Sequence, residues 1–157
     1  MERSVKRVNA TLLSVATLVM LGNVNADMPV AAQKVDPLVM VANKANTATS
    51  KMSKSDVKKL LLGQTANWPN GRKVTVVLAN VGSADRTAIL QRVCGMNEAE
   101  YTRHNLQATF MGETAASVIQ ADSPGAVRSL VKGNPGAVGF LHQNEVDDTV
   151  RAVWSVE

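Results

Sequence analysis

A second cysteine is missing from this 157-residue chain, and with Cys94 alone no intramolecular disulfide can form. The fold must therefore be held by its core. Cys94 falls near the end of a predicted helix beside Ile89, Leu90 and Val93, and reads as a buried, inert thiol. Aromatic residues make up only 3% of the chain, which argues against a surface that stacks sugars or bases. Its two histidines, His104 and His142, lie far apart, and neither has a second ligand at metal-binding spacing. Both read as surface or hydrogen-bonded side chains. Asp147 and Asp148 are adjacent, but a hard-cation loop needs more oxygen ligands at fixed spacing. No Gly-x-Ser-x-Gly segment and no nucleophile-and-base pair stands out, so a hydrolase has no support. No cofactor is implied, and the chain reads as non-enzymatic.

Charge excludes another class. Seventeen Lys and Arg against thirteen Asp and Glu give +4, far from the dense basic stripe of a nucleic-acid binder. Lys51, Lys54, Lys58 and Lys59 do cluster, as the solvated face of one helix or, on a weaker reading, a local attractor for anions.

What is present begins with an export signal. Arg3, Lys6 and Arg7 form a basic start, Ala10 to Leu21 is apolar and uncharged, and Val24-Asn25-Ala26 suits a signal peptidase. The apolar run falls short of the roughly 20 residues that span a bilayer, which disfavours an uncleaved anchor. No Cys follows it to carry a lipid. Residues 1–26 are thus expected to be a cleaved signal peptide, and residues 27–157 one domain in the periplasm.

Along the mature chain, strands and helices alternate. Pro37 to Ala42 is a continuous apolar run, the pattern of a strand buried on both faces. Ser53 with Asp56 approximates a capping box, Val57, Leu60 and Leu61 share one helical face, and Gly63 is placed for a left-handed stop. Trp68 lies in the following loop, which turns at Pro69-Asn70-Gly71 and serves packing more than ligand contact. Val74 to Ala79 is a second strand. Ser83 opens the next helix, with Ile89, Leu90 and Val93 inward and Gly95 ending it; Asn97 with Glu100 opens a short one through about Leu106. Ser123-Pro124 starts a further helix, which Gly133 and Pro135 stop. Ala137 to Leu141 and Thr149 to Val156 are strands, with Trp154 as a core or edge plug. This order predicts an α/β fold: a single three-layer domain with a mixed, mainly parallel sheet flanked by helices.

The strand-to-helix loop from Asn80 to Arg86 is where chemistry is expected. First-turn N–H groups lack helical partners there, Gly82 permits close approach of a ligand, and Ser83 and Arg86 add donors. Asp85 opposes an anion at the same donors. The alternative is plain: Ser83 caps its own helix and Arg86 is a solvated surface residue.

Three segments taken in order carry a resemblance. They are Leu62-Gly63 followed by Trp68-Pro69-Asn70-Gly71, the Gly82-Ser83 helix start, and Pro135-Gly136-Ala137-Val138-Gly139-Phe140. From about Leu38 to Phe140 the chain resembles phosphate ABC transporter substrate-binding proteins of the periplasmic binding protein type II group, in a short single-domain form. The resemblance implies one lobe of such a fold, a small phosphate-like oxyanion as ligand, and a membrane permease or other envelope protein as partner. In those relatives an Arg-Ser-x-Gly-Ser-Gly-Thr segment wraps the anion. The matching stretch here is Ala79-Asn80-Val81-Gly82-Ser83-Ala84-Asp85, which keeps Gly82 and Ser83 but replaces the Arg, the second Gly and the Thr. The implied site is Asn80, Gly82, Ser83, Ala84 and Arg86, with Thr47 and Ser50 of the loop after the first strand closing it. The competing expectation is an envelope interaction or sensory module that keeps the fold and has lost the anion.

Overall fold

The computed structural model describes residues 36–50, 52–113 and 116–156. The signal peptide and leader expected before Asp36, and Lys51, lie outside the described residues. Among the described residues five strands form one mixed sheet: β1 (Leu38–Asn43), β2 (Thr75–Ala79), β3 (Ser117–Ala121), β4 (Ala137–His142) and β5 (Val150–Ser155), in the order β3-β2-β4-β1-β5. β2 pairs in parallel with β3 and β4, while β1 pairs antiparallel with β4 and β5. Four strands thus point one way and β1 alone is reversed.

Capping fixes the helices locally. Helix α1 (Lys54–Leu61) opens with a Ser53–Asp56 capping box, and Gly63 follows its end at φ 73°. Ser53 Oγ accepts the Asp56 N–H while an Asp56 carboxylate oxygen takes the Ser53 N–H at 3.0 Å. Lys54, Lys58 and Lys59 are exposed, as a solvated face should be. Helix α2 (Ala84–Ile89) passes into a π-helical turn, Leu90–Cys94, and stops at Gly95 in the left-handed region. Helix α3 (Glu98–Phe110) opens with the Asn97–Glu100 box and runs past the expected end near Leu106, leaving Phe110 82% exposed. Helix α4 (Pro124–Gly133) starts at Ser123 with Pro at its first turn.

Alternating strand residues build two apolar layers. Met40, Val76, Leu78 and Val138 face α1, α2 and α3, where Val57, Leu61, Ile89 and Tyr101 complete one core. Val39, Val41, Val77 and Leu141 face α4, against Val127 and Val131. Cys94 is buried in the first core, where desolvation pushes its pKa up to about 11. Trp68 is buried too, and its indole Nε1–H donates to the Gly136 carbonyl at 2.9 Å, pinning the turn to the start of β4. Trp154 is half-buried against the first core. The edge strand β3 has no counterpart in the sequence reading: Ser117 to Gln120 are all exposed, so Ser-Val-Ile-Gln shows no contrast between an inner and an outer face.

Gly139 of β4 lies directly under α4. A Cβ there would stand 2.6 Å from Val127 Cγ1 and 3.2 Å from Val131 Cγ2. Gly139→Ala is therefore expected to destabilise by about 1–3 kcal/mol through overpacking. Gly133→Ala, with open space around it, should stabilise by roughly 0.5–1 kcal/mol. Urea unfolding of the two variants checks both signs.

Candidate functional site

Strands β2, β3 and β4 end together, and a cleft of about 290 Å³ opens at that edge. Ala79 and Asn80 follow from β2, Ala121 and Asp122 from β3, and Leu141 from β4; Ser83 and Asp85 of α2 and Ser123 and Pro124 of α4 complete much of its wall. Two helices thus begin at one opening, each behind a serine. Ser83 Oγ accepts the Arg86 N–H at 3.3 Å and Ser123 Oγ accepts the Ala126 N–H at 3.2 Å. Gly82, at φ 87°, turns the chain so that Ser83 N–H donates back to the Asn80 carbonyl. Gly82 and Ala84 are exposed beside the cleft.

Carboxylates share the opening. Asp85, Asp122 and Glu145 line it, and each has a donor. Asp85 Oδ1 lies 3.2 Å from His142 Nε2, Asp122 Oδ1 accepts the Ser123 hydroxyl at 3.2 Å, and Glu145 Oε2 accepts the His142 N–H at 3.0 Å. The pKa of His142 is raised, first by its bond to the Asp36 carbonyl and then by the Asp85 charge, partial burial working against both.

Arg86 departs from both expectations for it. It is 4% exposed, so it is not a solvated surface residue. Nor does it face the cleft, because Nε and Nη2 donate to the two Glu98 carboxylate oxygens at 2.8 and 2.7 Å. Nη1 donates to the Ala79 carbonyl at 3.1 Å, and the guanidinium lies 5.8 Å from the centre of the Tyr101 ring. Its partner Glu98, twelve residues on, carried no sequence signal.

Thr47 and Ser50 are not brought to the cleft. The register pairs Leu38 with His142 and Ala42 with Val138, so the loop after β1 emerges where β4 begins. The expectation that loops after strands gather at one edge fails because β1 runs backwards. At that opposite edge Asn43 Nδ2 donates to the Val131 and Lys132 carbonyls, holding the C-terminus of α4. Among the described residues no group of three His, Cys, Asp or Glu could hold a metal ion, and no helix is long and apolar enough to cross a membrane.

No protein-family model matches the chain. Solved structures do. An ABC-type phosphate transport receptor from Vibrio cholerae superposes with a TM-score of 0.60 at 24% identity, over 75% of this chain and 45% of that one. A putative phosphate ABC transporter substrate-binding protein from Clostridium perfringens, with bound phosphate, gives 0.59 at 24%, over 75% and 44%. PstS from Borrelia burgdorferi gives 0.56 at 15%, over 76% and 47%. The fold is like that of one lobe of these proteins. The chain spans less than half the length of each of these proteins.

Arg86→Ala should then act on folding. It leaves Glu98 and the Ala79 carbonyl without their partner, and with Glu98 29% exposed the loss should be about 2–3 kcal/mol. Denaturant unfolding measures it. A variant as stable as the parent would show that the guanidinium does not hold these elements.

Proposed function

We propose that this is an exported, non-enzymatic binding domain of the periplasm that meets a phosphate-like oxyanion at the cleft between α2 and α4. The observation that carries the reading is the convergence of two serine-capped helix starts at the edge where β2, β3 and β4 end. The N–H groups of Ala84, Asp85 and Gly125 precede the first helical hydrogen bonds, and the positive ends of both helices favour an anion. Asn80 and Ser83 add side-chain donors, while the Ser123 hydroxyl is taken by Asp122. Gly82 keeps the loop open to a close approach.

The carboxylates set which anion fits. Asp85, Asp122 and Glu145 can accept but, when ionised, cannot donate. A ligand beside them must bring its own proton. Hydrogen phosphate has a P–OH group; sulfate near neutral pH has none. The cleft holds about 290 Å³ and is open to solvent, so affinity should be near millimolar, about −4 kcal/mol. A permease or another envelope protein is the partner this reading implies.

One observation favours the second reading, a domain that keeps the fold without the ligand. Three carboxylates line the opening and its expected arginine is bonded to Glu98. An interaction or sensory module in the cell envelope would show those properties.

Calorimetric titration of the purified chain separates the two. Phosphate should give saturable heat and sulfate none; Asn80→Ala with Ser83→Ala should abolish the signal, and Thr47→Ala with Ser50→Ala should leave it intact. A folded chain giving no heat with phosphate at several times the expected millimolar constant would leave the interaction module standing.

A further inference from the structure

His142 ends β4, and both of its ring nitrogens face acceptors. Nδ1 lies 3.0 Å from the Asp36 backbone carbonyl oxygen and Nε2 lies 3.2 Å from Asp85 Oδ1. A carbonyl has no proton to give, and an ionised carboxylate has none either, so each nitrogen must donate. Neutral imidazole carries one N–H. Only imidazolium carries two.

We infer that His142 is a proton-operated latch at the rim of the cleft, tying Asp36, the end of β4 and the first turn of α2 together only while it is doubly protonated. On losing a proton the ring keeps one tie and leaves the Asp85 charge uncompensated beside the opening. Its effect on affinity rests on the oxyanion reading; the latch itself does not.

The surroundings supply the sign. Asp85 faces the ring from α2, and Asp36 from the segment before β1, its carboxylate accepting the Asn144 N–H at 3.0 Å. Glu145, from the turn after β4, holds the His142 N–H at 3.0 Å. Arg128 of α4 donates to the Glu145 carbonyl at 2.7 Å and pairs with the Asp147 carboxylate at 3.5 Å. The charges around the ring are thus mainly negative and favour its cation. The side chains of His142 and Asp85 are 34% and 44% exposed, so protons exchange freely with solvent. With the folded pKa raised above 6.5, the latch contributes its full stability below the unfolded value and loses it as pH rises through the folded one.

Ring-nitrogen NMR of the full chain without ligand tests the latch. At about pH 6 both nitrogens of His142 should be protonated, the midpoint should exceed 6.5, and Asp85→Asn should lower it. A single neutral tautomer at that pH, or a midpoint at or below 6.5, overturns the proposal. Phosphate affinity of the parent is then compared with that of His142→Gln, so that phosphate's own ionisation cancels in the ratio. The parent should bind roughly threefold to tenfold tighter at about pH 5.5, and the advantage should vanish by about pH 8.5. A ratio flat across that range overturns the regulatory part. A ring that titrates as described while neither protein binds phosphate supports the latch and sinks the oxyanion reading alone.

Discussion

One buried guanidinium holds the helical layer together. Arg86 joins α2 to α3 through Glu98, closes on the last carbonyl of β2 at Ala79, and lies over Tyr101. Tyr101 in turn donates its hydroxyl to the Leu61 carbonyl at 2.8 Å, bringing in the end of α1. Four elements therefore meet in one connected polar network inside an apolar layer. Such a network is strong when every member is satisfied and costly when one is lost. α2 has only six residues before its π-helical turn, too few to hold itself. Its position depends on this anchor, and so does the aim of the Asn80–Asp85 loop.

That anchoring changes what the cleft can be. With the arginine engaged behind the loop, the opening is left with backbone N–H groups, hydroxyls and one amide facing three carboxylates. Partial charges from two helix starts oppose formal charges from acidic side chains, and His142 stands between them. The balance is close, because helix-terminus effects and partly exposed ion pairs are each worth about 1 kcal/mol or less. A proton on one imidazole is enough to tilt it.

Local signals were the legible part of the sequence. Ser53 with Asp56, Asn97 with Glu100, Ser83, and Ser123-Pro124 each mark a helix start within four residues, and each cap forms where it was expected. The continuous apolar run of β1 and the Val-rich run of β2 likewise announce buried strands, and both are buried. What escaped was non-local or lacked contrast. The edge strand β3 has no buried face until Ala121, so it carries no alternation. The direction of β1 is decided by its pairing with β4, about a hundred residues away, and the placement of Thr47 and Ser50 went wrong with it. Likewise the contacts Arg86–Glu98 and Asp85–His142 join residues 12 and 57 positions apart. A residue's type gives its chemistry; only the fold gives its partner.

The bare backbone at Gly139 has a consequence for how this cleft could diverge. With no side chain beneath Val127 and Val131, α4 settles directly onto the sheet, and its first turn is carried to the rim. The distance between Ser123 and the floor of the opening is thus set from below, by an atom that is not there. Substitutions at Asn80 or Asp122 would change the lining one side chain at a time and leave the helix where it is. Widening the cavity is a different matter, since a larger residue at 139 lifts the whole helix at once. The lining is open to gradual drift, whereas the volume can change only in a step.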